Sequence, residues 1–125
     1  MQTYSRAAHS LIASLSIALL GACGGDDDSP TEVVTPTPVQ AATVLATPAE
    51  QFTPGRVNLI AGGTVTFAFG SLAHQVFFDN APAGAPENIP EPTTNTMVTR
   101  TFATRGTFDY NCHLHPGMRG TVVVE

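Results

Sequence analysis

The segment Thr64-Val65-Thr66-Phe67-Ala68-Phe69 alternates strictly, with Val65, Phe67 and Phe69 on one side and smaller or polar residues on the other. A period of two is the signature of a strand with one buried face. No window of the chain sustains helical spacing, whereas further short runs with strand character cover residues 42–46, 56–60, 73–78, 97–103, 107–112 and 120–124. Gly62-Gly63 reads as a two-residue hairpin signal and Arg105-Gly106 as another tight reversal. Several short strands divided by turn residues predict an all-β fold, a β-sandwich of about seven to eight strands. Residues 81–96, APAGAPENIPEPTTNT, hold four prolines and no strand pattern, and read as a long connection across one end of the sandwich.

Residues 1–23 have a different character. They place a single Arg6 before an apolar run from Leu11 to Leu20, followed by small residues and a cysteine, the anatomy of a secretory signal. The run is too short for a membrane span, which needs roughly 18 apolar residues. Leu20-Gly21-Ala22-Cys23 resembles the lipobox of bacterial lipoproteins, which implies a signal peptide over residues 1–22, lipid on Cys23 and an exported protein of the cell envelope, facing periplasm or exterior and held to a membrane by that lipid. Residues 23–40 continue with three consecutive aspartates, threonines and prolines, a composition that cannot bury a core and reads as an acidic, extended tether. Residues 41–125 then form one small domain, of a size that supports a single core.

The formal net charge is −5, and loss of the signal removes Arg6, one of five arginines in a chain without lysine. That balance argues against a nucleic-acid partner. It also offers little to steer an acidic partner. The two cysteines are Cys23 and Cys112, so lipid on Cys23 leaves Cys112 unpaired in an oxidising compartment, where a lone thiol needs protection or a use.

The residues around it suggest the use. Strand parity turns His74 inward with Val76 and Phe78, and turns Cys112 inward with Phe108 and Tyr110. His115 and Met118 follow Cys112 at intervals of three within YNCHLHPGMRG. Zinc would accept the two imidazoles and the thiolate readily, but it seldom takes a methionine thioether. Two histidines and a cysteine with a weak axial methionine are the copper arrangement. Sulfur favours Cu(I) and imidazole serves Cu(II), so a site held between the two geometries rearranges little when an electron arrives. His113 is sent outward by the same parity and reads as a solvent-facing neighbour.

With these residues in place, the segment TFATRGTFDYNCHLHPGMRGTVVV resembles the copper loop of cupredoxins, and GGTVTFAFGSLAHQVFF resembles the strand pair ending in their first histidine ligand. The Cys112, His115, Met118 spacing is most similar to the short loop of amicyanin-type members. The resemblance implies a Greek-key sandwich binding one copper ion through His74, Cys112, His115 and Met118. It implies a thiolate bond from Cys112, a buried anchor in His74, a surface-proximal ligand in His115 and a weak axial ligand in Met118. Redox partners would dock on the apolar patch around His115, Leu114 and Pro116. One departure stands out: many cupredoxins carry asparagine after the first histidine, where it helps tie the ligand loops together; this chain has Gln75, a longer amide that is still able to bridge them.

The function expected from this reading is single-electron transfer between redox partners by Cu(I)/Cu(II) cycling. The alternative is a copper carrier or buffer that hands the metal to a cuproenzyme. An enzyme is not expected, because His74, His113 and His115 are the only histidines after residue 23 and leave nothing for a second, substrate-binding copper.

Overall fold

In the computed structural model residues 35–125 are described; the expected signal segment, Cys23 and most of the tether lie outside them. The described residues contain eight strands and no helix. They are β1 (Val39–Thr47), β2 (Gln51–Thr53), β3 (Arg56–Phe69), β4 (His74–Val76), β5 (Ile89–Thr93), β6 (Thr96–Phe102), β7 (Gly106–Asn111) and β8 (Arg119–Val124). The all-β class expected from the alternating runs is the observed one.

β3 organises the fold, and it corrects one expectation. Gly62-Gly63 does not turn a hairpin; a single strand of 14 residues passes through the pair. Gly62 has a φ of 83°, and a Cβ on Gly63 would meet the carbonyl oxygens of Gln40 and Ile60, each at 2.9 Å. The glycines therefore bend the strand instead of reversing it. The partners explain why. Arg56 to Leu59 lie parallel to Thr121 to Val124 of β8, whereas Gly63 to Phe69 lie antiparallel to Phe102 to Thr96 of β6. Each half finds its partner in a distant segment, which leaves neither free to fold back on the other. β1 runs parallel to β3 along both halves, and its register jumps between Val39 and Ala41, opposite the glycine pair.

Two layers result. β1, β2, β6 and the second half of β3 form one; the first half of β3 continues into β8 and β7 on the other side. Aromatic side chains join them. The Phe67 and Tyr110 rings stand edge to face with centroids 5.3 Å apart. Phe52 meets Tyr110 at 4.9 Å, and Phe102 meets Phe108 at 5.5 Å. Such offset contacts suit the ring quadrupoles and add to the area buried. The inward faces are those set by parity: Val65, Phe67 and Phe69 in β3, Phe108 and Tyr110 in β7, and His74 and Val76 in β4 are all buried.

Tyr110 lies directly opposite Gly120 in the β7–β8 register. Its ring occupies the space a side chain on Gly120 would need, since a Cβ there would fall 2.3 Å from the phenolic oxygen. The hydroxyl is buried with no hydrogen-bond partner, and burial raises its pKa well above the ordinary tyrosine range.

A second correction concerns residues 81–96, which contain β5. It joins β4 through two positions only, His74 opposite Thr93 and Val76 opposite Ile89. Pro90 and Pro92 fall between these, where no amide donor is required. Side chains secure the rest. Arg100 donates from Nε to the Glu87 carbonyl at 2.8 Å and from Nη2 to the Asn88 carbonyl at 3.0 Å. Asn88 Oδ1 accepts from the Phe78 amide at 2.9 Å. The expected reversal at Arg105-Gly106 instead falls where the chain leaves β6 and enters β7, which pair with different neighbours.

Candidate metal centre

At one pole of the sandwich, two segments approach each other. β4 opens with His74, whose side chain is fully buried. The loop between β7 and β8 carries Cys112, His115 and Met118. This loop is short and internally tied: the Cys112 amide donates to the Met118 carbonyl at 3.0 Å and the Met118 amide to the His115 carbonyl at 3.1 Å. Gly117 takes a φ of 90° between them, a conformation glycine adopts without strain. Successive residues of the CxxHxxM spacing are thereby folded over one point.

His74, Cys112 and His115 bring one ligand atom each to within 4.8 Å of the others. Nδ1 of His74 faces Nδ1 of His115 at 3.1 Å, and Cys112 Sγ lies 3.5 Å from the same His115 nitrogen. The Gln75 amide donates to Cys112 Sγ at 3.4 Å. Cys112 and Met118 are buried, and His115 is half-buried. Nε2 of His74 is buried without a hydrogen-bond partner. Burial, and then the neighbouring His115, lower the pKa of His74; the backbone of Thr47 opposes this weakly but makes no hydrogen bond to Nε2. A neutral imidazole with a free lone pair is the form a metal requires. The donor set, two imidazole nitrogens and a thiol on one buried point, fits copper.

His74, Cys112 and His115 thus come together at this pole, and Met118 closes the same loop with its side chain buried. His113 points outward as parity requires, yet it is not simply solvated. Its ring stacks on Phe77 with centroids 3.7 Å apart and an interplanar angle of 5°, and Nε2 donates to Asp79 Oδ2 at 2.6 Å. Sequence reasoning missed Phe77 and Asp79, for which neither spacing nor residue type gave a signal. The Gln75 side-chain amide donates to the Pro90 carbonyl, not to the Cys112 loop. Leu114 and Pro116 are exposed beside His115.

No protein-family model matches the chain. Individual proteins do. Amicyanin-alpha of Methylorubrum extorquens is 36% identical over 78 residues, covering 60% of this chain and 65% of that protein. Amicyanin of Paracoccus versutus is 32% identical over 123 residues, covering 91% of this chain and 92% of that protein. Among solved structures, a variant of amicyanin in its reduced Cu(I) form superposes with a TM-score of 0.58 at 29% identity, over 72% of this chain and 87% of that one. A copper-containing nitrite reductase from Thermus scotoductus gives a TM-score of 0.59 at 25% identity, but only 23% of its chain is covered. With the sandwich, the ligand loop and a near full-length relative in agreement, the chain belongs to the amicyanin family of cupredoxins, the small blue copper electron-transfer proteins.

Proposed function

We propose that this chain holds one copper ion through His74, Cys112, His115 and Met118 and carries single electrons between redox proteins. The observation that supports it most directly is the meeting of the two Nδ1 atoms and the Cys112 sulfur at a buried pole. Bound there, copper supplies one-electron Cu(I)/Cu(II) chemistry. The protein's own part is to hold the donors still. Cys112 serves as thiolate, steadied by the Gln75 amide. His74 anchors the site to the sandwich from its buried side, while His115 stands at the surface edge, the shortest way out for an electron. Met118, buried at the end of the loop, would serve as the fourth and weakest donor.

Leu114, which is 42% exposed, and Pro116 flank His115 with apolar surface. We read this patch as the place where redox partners dock, because an uncharged patch at the electron exit brings the partner close without a desolvated charge. We read the protein as a carrier and not an enzyme. The one histidine left among the described residues, His113, is engaged by Phe77 and Asp79, whereas the nitrite reductase is a chain several times longer. A signal over residues 1–22, lipid on Cys23 and a tether over residues 23–40 complete the proposal. They would hold the domain of residues 41–125 at a cell-envelope membrane, facing periplasm or exterior.

The test is the visible and electron paramagnetic resonance spectrum of the Cu(II)-loaded protein. An intense blue thiolate-to-copper band with narrow hyperfine splitting is expected. Weak colour with ordinary tetragonal splitting, together with ready transfer of Cu(I) to an acceptor, would instead assign the protein to copper delivery.

A further inference from the structure

Cys112 is bracketed. On one side Asn111 pairs with Phe77 through both backbone groups, Phe77 N to Asn111 O at 2.9 Å and Asn111 N to Phe77 O at 3.0 Å. On the other side His113 lies flat on the Phe77 ring. One oxygen of Asp79 accepts from both neighbours of the cysteine, from His113 Nε2 at 2.6 Å and from Asn111 Nδ2 at 3.4 Å. All of these bonds run between the same two segments, the one that carries His74 and the one that carries Cys112. Gln75 contributes only its backbone amide to this junction, because its side chain is bound to the Pro90 carbonyl.

We propose that Phe77, Asp79 and His113 form a clip that ties the Cys112 loop to the His74 strand, with His113 as a positioning residue that sets the direction of the Cys112 sulfur. The inference rests on the copper reading of His74, Cys112, His115 and Met118 given above. Its physical basis is leverage. Residues 111 and 113 determine the backbone orientation of residue 112, and with both held by one carboxylate and one ring, the Cα–Cβ bond of Cys112 has little freedom to swing. Residues that orient a ligand from outside its coordination shell commonly change metal affinity by roughly 10- to 100-fold when removed. A stacked imidazole anchored at its far nitrogen does this without occupying the metal-facing side. The ring is still partly open to solvent, the His113 side chain being 46% exposed, so its removal leaves no buried cavity and the fold should survive it.

The experiment compares the full chain with His113→Ala, His113→Phe and Asp79→Asn. In Cu(II)-loaded His113→Ala the thiolate-to-copper band should shift and copper should pass to a chelator about tenfold faster than from the parent. His113→Phe keeps the stack and should recover part of the parent spectrum, and Asp79→Asn should lose part of it. In the metal-free chain the Cys112 and His113 amides should exchange with solvent severalfold faster in His113→Ala, at unchanged far-ultraviolet circular dichroism. A parent-like band, hyperfine splitting and chelator rate in both His113→Ala and Asp79→Asn overturn the clip. So does a variant that melts earlier yet keeps the parent band, which would show a contact that only stabilises the fold. If the parent itself lacks the blue band, the copper reading fails and the clip's role falls with it, an outcome distinct from a blue parent with indifferent variants.

Discussion

His74 and His115 are 41 positions apart in the chain, yet their Nδ1 atoms face each other at 3.1 Å across the pole of the sandwich. His74 resists protonation in this setting, because it is fully buried and a charge on it would lie against the second imidazole.

The stability of the metal-free protein should therefore depend on pH in a defined direction. The pKa of His74 is lowered from 6.5, by burial first and by His115 second. Below pH 6.5 the unfolded chain takes up a proton that folded His74 refuses, so unfolding becomes easier as pH falls from there toward the lowered folded-state value. Above that window this contribution is fully present and constant. Urea midpoints of the metal-free chain between pH 5 and 8 check it. Substituting His74→Gln should flatten the slope, and a slope that survives the substitution would assign it to another group.

Cys112→Ser should abolish the blue band while the sandwich persists. The side chain is buried, and exchanging a thiol for a hydroxyl there should cost about 1–3 kcal/mol, less than the stability of an ordinary small domain. Visible absorption and circular dichroism on one sample separate the two effects. A fully coloured variant would remove Cys112 from the ligand set.

Met118→Leu should keep copper and raise the reduction potential, because losing a weak donor disfavours Cu(II). Met118 is 2% exposed, and a volume-conserving exchange at such a position costs under about 1.5 kcal/mol. Voltammetry of the loaded protein decides the matter. An unchanged or lower potential would show that the thioether does not act on the metal.

Gly120→Ala tests the core. The new methyl group would meet the Tyr110 ring, with the phenolic oxygen at 2.3 Å and the carbon bearing it at 2.4 Å. Phe52 and Phe67 press on that ring, so it cannot simply swing aside. A loss of about 2 kcal/mol or more is expected from such overpacking, read as a lowered urea midpoint.

What the sequence disclosed here followed parity and spacing. Alternation oriented His74, Cys112, Phe67 and Tyr110 correctly, because a strand allows a side chain only two directions. The CxxHxxM loop was legible because its ligands are local, and a short loop has few ways to fold over one atom. Non-local pairing was hidden. Nothing in Gly62-Gly63 reveals whether a strand reverses or bends, since that depends on β6 and β8, which arrive from far along the chain. β5 was masked by Pro90 and Pro92, and is held by Gln75, Arg100 and Asn88 instead of by a pattern. The clip on His113 escaped for the same reason: Asp79 lies 34 positions away, and an exposed carboxylate looks like any other until the fold supplies its partner.

The unbroken passage of β3 through both layers bears on how this protein comes apart. A sandwich whose halves were joined only by loops could open like a book, one sheet fraying while the other persisted. Here the strand whose first half pairs with β8 is the strand whose second half pairs with β6, so tearing either layer disturbs a strand the other needs. The metal-binding pole and the opposite pole are thus tied into one cooperative unit. Amides of β6 and β8 should open to solvent together, as a single event, and not layer by layer.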